Sequence, residues 1–174
     1  MKRSPRKKPT VSRLKKEADK AFSVFIRQRD RECYTCLKRM FWTNLQCGHF
    51  ISRAKSATRY DEFNCRAQCM SCNIWRRGNL AEFAARLIQE NGLIRFNELI
   101  QKGRTTKQFT VKELQRIIER YAVITWATLL LTKNALIAER ESLIPEISIV
   151  RIVERKTKSL FLFIRENAGV YAIQ

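Results

Sequence analysis

The sequence predicts a mainly α-helical protein with a small ββα unit in its first half and a C-terminal segment that could form a β-hairpin. Three observations support this fold class. Apolar residues recur at helical spacing over much of the chain, two Cys-x-x-Cys pairs enclose residues 33–72, and β-branched and aromatic residues are concentrated in the tail. With 174 residues, 45% of them hydrophobic, the chain is long enough to bury one ordinary core.

In chain order, we expect a flexible basic arm (1–12), an N-terminal helix (13–32), a cysteine-rich core (33–78), a helical extension (79–121) and a tail (122–174). The prolines at positions 5 and 9 disfavour helix in the arm, whose lysines and arginines suit a phosphate backbone. The helix is predicted because apolar residues from Leu14 to Ile26 recur at helical spacing.

The helical extension contains LAEFAARLI and LIRFNELI, which read as two short helices separated by a break at Asn91-Gly92. Another helix is predicted to begin at Thr110, because Glu113 follows three residues later as in a capping box. In the tail, an apolar helix is followed by ISIVRIVER and SLFLFIRE, whose composition favours a β-hairpin.

Charge is the strongest property of the composition. Lys and Arg number 35 against 16 Asp and Glu, which gives a formal net charge of +19. An excess of this size predicts a polyanionic partner, and nucleic acid is favoured over an acidic membrane face. The alternatives are a solvated basic surface and docking on acidic proteins.

No segment of the sequence predicts export or membrane insertion. The opening run MKRSPRKKPT has no apolar segment behind it, so we expect a cytoplasmic protein. The most apolar window, AVITWATLLL at residues 122–131, is shorter than the roughly twenty residues that cross a bilayer and reads as a buried helix. We therefore expect no membrane partner.

Four of the six cysteines form two Cys-x-x-Cys pairs, Cys33 with Cys36 and Cys69 with Cys72. In a reducing compartment such pairs indicate metal binding rather than disulfides, and each can supply two thiolates to a tetrahedral Zn²⁺. We therefore expect one structural zinc, with a redox role as the alternative.

Cys47 and Cys65 stand outside these pairs. An interpretation as small buried residues is favoured over a role as metal ligands. Cys65 and Cys69 form a competing pair, but that pairing would leave Cys72 without a partner.

His49, the only histidine, lies between the two cysteine pairs. The aromatic and aliphatic residues around it suggest a short hairpin at Gly48-His49, residues 64–69 read as a returning strand, and Asn73 opens a helix. A ββα metal-finger nuclease requires this order, because the histidine deprotonates water while the helix residue holds a divalent cation at the scissile phosphate. The alternative is a packed or surface histidine.

The cysteine pairs, His49, Asn64 and Asn73 resemble an HNH-type motif whose third histidine is replaced by asparagine. The flanking stretches resemble the bacteriophage NinG/Rap recombination proteins, which are DNA-branch endonucleases. These stretches are AFSVFIRQRD, LQCGHFISR, TRYDEFNCRAQCMSCN and RRGN. The resemblance runs from about residue 13 to residue 121 and leaves the role of residues 122–174 open.

The resemblance implies roles for three residues. His49 is the general base, Asn64 fixes the loop that presents it, and Asn73 is a ligand of a catalytic Mg²⁺ or Mn²⁺. Many HNH nucleases have a metal-binding Asp or His before the catalytic histidine, where this chain has Gly48. Asp61, Gln46 or water must therefore complete the metal shell, and Asp61 is preferred.

Six basic side chains are expected to contact DNA phosphates around this motif: Arg53, Lys55, Arg59, Arg66, Arg76 and Arg77. Arg66 stands where many relatives have histidine, so a phosphate contact replaces a ligand role. A solvated loop position is an equally good interpretation of Lys55. Trp75 can stack on an unpaired base, although a position in the core or at its rim is favoured.

These patterns together predict a metal-dependent DNA endonuclease, and the resemblance implies that it is structure-specific and cuts branched intermediates in phage recombination. Holliday junctions and D-loops are implied by the family resemblance alone. Symmetric cleavage of a junction needs two active sites, so we expect a homodimer, with the apolar helix at residues 110–131 as its interface. Two alternatives are a non-catalytic zinc-dependent DNA-binding protein and an HNH nicking or homing-type endonuclease that acts on linear duplex.

Overall fold

The computed structural model describes the backbone of residues 9–140 and the side chains of residues 9–128. The elements are α1 (Val11–Asp30), β1 (Leu45–His49), β2 (Cys65–Cys69), α2 (Leu80–Arg104) and α3 (Val111–Arg140). A single π-helical turn, Ser71–Trp75, lies between β2 and α2. The prediction of a mainly helical protein with a small two-stranded unit is confirmed. The predicted C-terminal hairpin and most of the basic arm lie outside the described residues.

The chain forms two compact units, one up to Trp126 and one from Ala127 onward. Of the second unit, the structure describes only the helical residues 127–140. All contacts given below lie within the first unit.

Helix α1 forms because Leu14, Ala18, Phe22 and Ile26 recur every four residues and are all buried. It begins two residues earlier than the sequence predicts, since the Thr10 side chain caps it by accepting from the backbone N–H of Arg13 at 3.3 Å. Phe22 and Ile26 pack with Cys65 of β2, whereas Leu14 and Ala18 pack with Phe109 and Leu114.

The two strands pair antiparallel, with Leu45 opposite Cys69 and His49 opposite Cys65. Gly48 and His49 lie within β1, so the short hairpin expected around them is wrong. A loop of residues 50–64 connects the strands instead. The side chain of Asp30 fixes β2 to the end of α1, because its Oδ2 accepts from the backbone N–H of Ala67 at 2.7 Å.

Asn73 lies in the π-helical turn rather than at the start of a regular helix. Three consecutive residues with positive φ, Arg77, Gly78 and Asn79, end this turn, and α2 begins only at Leu80. Further along, Gly92 has φ 80° and ψ 160°, so the helical backbone of α2 is interrupted where the sequence places a break. The chain thus uses positive-φ residues at both ends of the first segment of α2.

Helix α3 begins with a reciprocal cap. The hydroxyl of Thr110 accepts from the backbone N–H of Glu113 at 3.2 Å, and a Glu113 carboxylate oxygen accepts from the backbone N–H of Thr110 at 2.9 Å. Tyr121, one-third of the way along, packs edge to face on Phe22 of α1. This contact joins α1 and α3 behind the sheet.

Within residues 9–140, no helix combines the length and the apolar character that crossing a membrane would need.

Candidate functional site

The two cysteine pairs converge on one point. Cys33 and Cys36 lie on the turn after α1, Cys69 ends β2, and Cys72 lies in the π-helical turn. Their sulfur atoms all lie within 4.8 Å of one another, and the sulfurs of Cys36 and Cys69 are 3.8 Å apart. Sulfurs at the corners of a tetrahedron with 2.3 Å bonds to zinc are separated by about 3.8 Å. The predicted four-cysteine cluster is therefore present and can hold a metal ion such as zinc.

The four thiols differ in acidity. Burial opposes ionisation of Cys33, but hydrogen bonds from the backbone of Cys69 and Cys36 outweigh it and lower the pKa of the Cys33 thiol to about 6. Burial raises the pKa of Cys72 to about 12. Metal binding at the cluster therefore displaces a proton from Cys72.

A cavity of about 690 Å³ runs along β1, beside the cysteine cluster. Its walls come from α1, β1, the start of the connecting loop and the π-helical turn. Among the residues that line it are His49, Gln46, Asn73, Arg53, Arg77 and Asp19. The structure thus brings the predicted base and the predicted metal ligand, His49 and Asn73, to the same cavity.

His49 is held by the loop that follows it. Its Nε2 lies 3.1 Å from the carbonyl oxygen of Arg59, and because a carbonyl can only accept, Nε2 carries the proton. The lone pair of a neutral His49 is then on Nδ1. Burial lowers the pKa of His49 below 6.5, and the positive charges of Arg53 and Arg59 lower it further. The imidazole is therefore kept in its neutral form.

Asn64 is fully buried at the end of the same loop. Its Oδ1 accepts from the backbone N–H of Ile51 at 2.7 Å, and its Nδ2 donates to the carbonyl oxygens of Ile51 and Thr58, both at 3.0 Å. One side chain thus joins both ends of the segment between Ile51 and Thr58. Arg59, whose carbonyl binds His49, follows directly after that segment.

Asn73 contacts β1 through its side chain. Its Nδ2 donates to Oε1 of Gln46 at 2.7 Å, so the two amides meet at the wall of the cavity. Gln46 was one of the alternatives for completing the metal shell, and it is the one that the structure places beside Asn73.

Gly48 has no room for a side chain. A methyl group at this position would lie 2.8 Å from Cδ of Gln68 and would collide with its side-chain oxygen. Gln68 is fully buried, and its Nε2 donates to the carbonyl oxygen of Gly78 at 2.8 Å. Packing against Gln68 therefore explains the glycine before His49.

Asp61, the preferred additional metal ligand, is not among the residues that line the His49 cavity. It lines a different cavity, beside Lys102, with which it forms an ion pair. Its Oδ1 also accepts from the backbone N–H of Phe63 at 2.9 Å. The carboxylate is thus occupied in holding the loop, which is the ordinary role of an aspartate in a turn.

The six predicted phosphate contacts separate into two groups. Arg53, Lys55, Arg76 and Arg77 are exposed, and two of them line the cavity. Arg59 instead pairs with Asp19, with its Nε 2.8 Å from a carboxylate oxygen. Arg66 retains only 14% exposure of its side chain and stacks on Tyr34. In this structure these last two guanidinium groups are occupied by protein contacts.

Trp75 was expected in the core or at its rim, and this expectation is wrong. The side chain is 71% exposed on the π-helical turn that carries Asn73. Ile74 beside it is 56% exposed and lines the cavity. The turn therefore presents two apolar side chains to solvent next to Arg76 and Arg77.

Two features of the site were not predicted. Asp19 of α1 reaches the cavity across a large sequence separation, and no local pattern marks it. Cys47, His49 and Cys65 form a second group of potential metal ligands, with ligand atoms within 4.8 Å of one another. The sequence contains a signal for two of these ligands, because side chains two residues apart on a strand, such as Cys47 and His49, lie on the same face.

Comparisons with known proteins agree on one family. The model of the bacteriophage lambda NinG protein family matches residues 2–128. The protein ninG of Escherichia phage 933W is 33% identical over 111 residues, which are 61% of this chain and 53% of the relative. The ninG proteins of Salmonella phage P22 and Escherichia phage lambda are each 32% identical over 111 residues, or 61% of this chain. The matched residues are 53% of the P22 protein and 52% of the lambda protein.

The chain spans about half the length of the curated relatives it matches. No solved structure matches it. The family model nevertheless covers most of the chain, including the whole cavity and the cysteine cluster. The chain belongs to the bacteriophage lambda NinG protein family.

Proposed function

We propose that this protein is a metal-dependent DNA endonuclease of the HNH, or His-Me finger, type. One observation carries the proposal: His49 and Asn73 line the same cavity, and the hydrogen bond from His49 Nε2 to Arg59 leaves the Nδ1 lone pair to accept a proton. A strand that ends in this histidine, a returning strand and a turn with a polar ligand give the arrangement such a nuclease needs.

In the proposed reaction, Nδ1 of His49 takes a proton from water, and the resulting hydroxide attacks the scissile phosphorus in line with the leaving 3′ oxygen. The P–O3′ bond breaks, and the leaving oxygen takes up a proton from solvent. The carbonyl of Arg59 stabilises the imidazolium that forms, because it accepts from Nε2–H. Asn64 fixes the loop on which Arg59 lies.

A divalent cation such as Mg²⁺ or Mn²⁺, when bound, would stabilise the charge that develops on the phosphate. Asn73 fits this role through its Oδ1, a hard ligand, and Gln46 could join it at the same wall of the cavity once its Oε1 is released from Nδ2 of Asn73. Neither carries a charge. Asp19 is the carboxylate that lines this cavity, and its pairing with Arg59 keeps it from being a free ligand in this structure.

Two features support DNA as the substrate. The net charge is +19, and Arg53 and Arg77 lie exposed at the cavity. Branched DNA is favoured over linear duplex because Trp75 is exposed beside the proposed metal ligand, where it can stack on a base that a branch point leaves unpaired. The resemblance to branch-cutting phage recombination proteins favours the same substrate, in the cytoplasm of a host cell.

A homodimer remains part of the proposal, since a symmetric cut across a junction needs two active sites. Val123 and Trp126 are exposed on α3, within the apolar stretch expected to form the interface. Their exposure supports this expectation because large apolar side chains on a helix surface suit an interface.

Cleavage of matched substrates tests the proposal and separates it from its alternatives. A four-way junction, a flap and a linear duplex of the same base sequence are incubated with and without Mg²⁺ or Mn²⁺. We expect cation-dependent cleavage of the junction and flap. Binding without any cleavage would favour a zinc-dependent DNA-binding protein, and equal cleavage of the linear duplex would favour a nicking or homing-type enzyme.

A further inference from the structure

The group formed by Cys47, His49 and Cys65 has no part in the reaction proposed above beyond the histidine itself. We infer that these three side chains form a second zinc site, separate from the four-cysteine cluster. Their ligand atoms lie within 4.8 Å of one another, close enough for small side-chain movements to bring all three onto one ion.

The strand register creates this convergence. Cys47 and His49 are two residues apart on β1, so their side chains point to the same face of the sheet. Cys65 lies directly opposite His49 on β2. All three groups thus meet on one face, whereas Gln46, the proposed ligand of the catalytic cation, points to the other face of the strand.

The carbonyl oxygen of Arg59 lies at the same point. It accepts from Nε2 of His49 at 3.1 Å and from the thiol of Cys65 at 3.8 Å. Two of the three potential ligands are therefore already drawn together by one backbone group. A bound ion would replace these contacts with direct bonds.

The donor set selects the class of ion. Two thiolates and one imidazole suit Zn²⁺, and zinc sites with three protein ligands keep a fourth position open to water. Mg²⁺ prefers oxygen ligands and does not suit this set. Cys47 and His49 line the cavity, which gives an ion an entry path and a source of water, while Cys65 is fully buried behind them.

The local charges do not prevent the site from forming. Arg53 and Arg59 lie near His49, and Arg27 interacts with Cys47. These cations disfavour a bare divalent ion. Burial and the neighbouring Cys47 raise the pKa of the Cys65 thiol, so zinc must displace its proton on binding, and the resulting thiolate charge offsets that of the ion.

Occupation of this site has a consequence that rests on the proposed function. The lone pair of His49 cannot bind zinc and accept a proton at the same time. Zinc at the second site is therefore expected to inhibit cleavage, although the protein needs zinc in its four-cysteine cluster. Free Zn²⁺ would then inhibit cleavage by binding at the site that Cys47 and Cys65 form with His49.

The test measures zinc binding directly and needs no cleavage. Full-length protein, kept reduced with a phosphine, is titrated with Zn²⁺ against a chromophoric chelator, and bound zinc is also counted by elemental analysis. We expect two zinc ions per chain, the second bound more weakly. Cys47→Ser and Cys65→Ala should each weaken the second site by at least about tenfold, the lower end of what loss of an outer-shell contact costs.

Ser23→Ala is the matched control, because Ser23 lines the same cavity but offers no ligand of this set. It should keep both zinc ions. Cys65 is buried, so Cys65→Ala can destabilise the fold; Cys47 is only partly buried, and Cys47→Ser keeps the test decisive. A single zinc per chain in the wild type, or a second zinc that both cysteine variants retain, would overturn the inference.

A cleavage assay with added Zn²⁺ then distinguishes the two proposals. Inhibition that is weaker in Cys47→Ser than in the wild type supports the inhibitory role, when each protein is compared with its own rate before Zn²⁺ is added. If the second zinc binds as expected but no variant or wild-type protein cleaves DNA, the zinc site stands and the nuclease proposal fails.

Discussion

The Nε2 nitrogen of His49 lies 3.1 Å from the carbonyl oxygen of Arg59, which stands across the loop that Asn64 closes. This contact places the proton of the neutral imidazole on Nε2 and leaves Nδ1 as its basic nitrogen. The position of the proposed base is thus determined by the backbone of the loop. Changes to the loop should therefore affect catalysis even where they do not touch DNA.

The first prediction concerns pH. Burial lowers the pKa of His49 below 6.5, and the charges of Arg53 and Arg59 lower it further. A lowered pKa keeps the imidazole neutral, and able to accept a proton, at more acidic pH. The acid limb of the single-turnover cleavage rate should therefore have its midpoint below pH 6.5.

Arg53→Gln removes one of these charges, so its midpoint should move to higher pH. Saturating enzyme separates this shift from weaker DNA binding. A wild-type midpoint above 6.5 would contradict the role given to His49.

The second prediction concerns Asn64. Asn64→Ala leaves the backbone N–H and C=O of Ile51 without their side-chain partner and removes one of the two donors to the Thr58 carbonyl, so stability should fall by roughly 2 to 4 kcal/mol. Urea unfolding measures this loss. Asn44→Ala is the control, because Asn44 is exposed on a short helical turn, and it should change stability by no more than about 0.5 kcal/mol. Equal effects of the two substitutions would show that Asn64 does not hold the loop.

The third prediction concerns the four-cysteine cluster. Cys69→Ser should lose zinc and cooperative thermal unfolding together, because metal binding supplies folding free energy in small zinc domains. Met70→Ser changes the exposed neighbouring side chain and should keep both. Elemental analysis and a melting curve of each variant suffice. A Cys69→Ser protein that melts like the wild type without its zinc would refute a structural role for the metal.

The fourth prediction separates two arginines that the sequence does not distinguish. Arg77 is exposed at the cavity, so Arg77→Ala should reduce the slope of log K for junction binding against log salt by about 1. Arg66 donates to the carbonyl oxygen of Glu62 and stacks on Tyr34, so Arg66→Ala should leave this slope unchanged and cost roughly 1 to 3 kcal/mol of stability. An unchanged slope in Arg77→Ala together with a reduced slope in Arg66→Ala would mean that DNA does not contact Arg77.

Local patterns predicted the parts of this molecule that depend on short sequence separations. The spacing of Cys33, Cys36, Cys69 and Cys72 predicted the metal cluster, and the Thr110 and Glu113 pair marked the start of α3. The cap and each Cys-x-x-Cys pair need only a turn whose geometry is set by a few neighbouring residues. The two pairs are 33 residues apart, and their convergence was predicted from the four thiolates that a zinc ion takes.

The features that were missed depend on contacts between distant segments. Asp19 pairs with Arg59 across 40 residues, and this pairing removes a cation that the sequence assigns to DNA. Trp75 is 71% exposed because no distant segment of the described residues covers it on the π-helical turn. Nothing in the spacing of charged or aromatic residues distinguishes these positions from their neighbours.

Single-turnover cleavage of a four-way junction by His49→Ala tests the central claim most directly. Both proteins are loaded with one zinc ion per chain, which fills the four-cysteine cluster, checked for folding by their melting transitions, and assayed with Mg²⁺ at saturating enzyme and without further zinc. We predict that His49→Ala lowers the rate roughly 10²- to 10⁴-fold, the usual cost of losing a general base, while junction affinity and zinc in the four-cysteine cluster stay near wild type. A folded, zinc-loaded His49→Ala protein that cuts the junction at the wild-type rate would contradict the proposed mechanism.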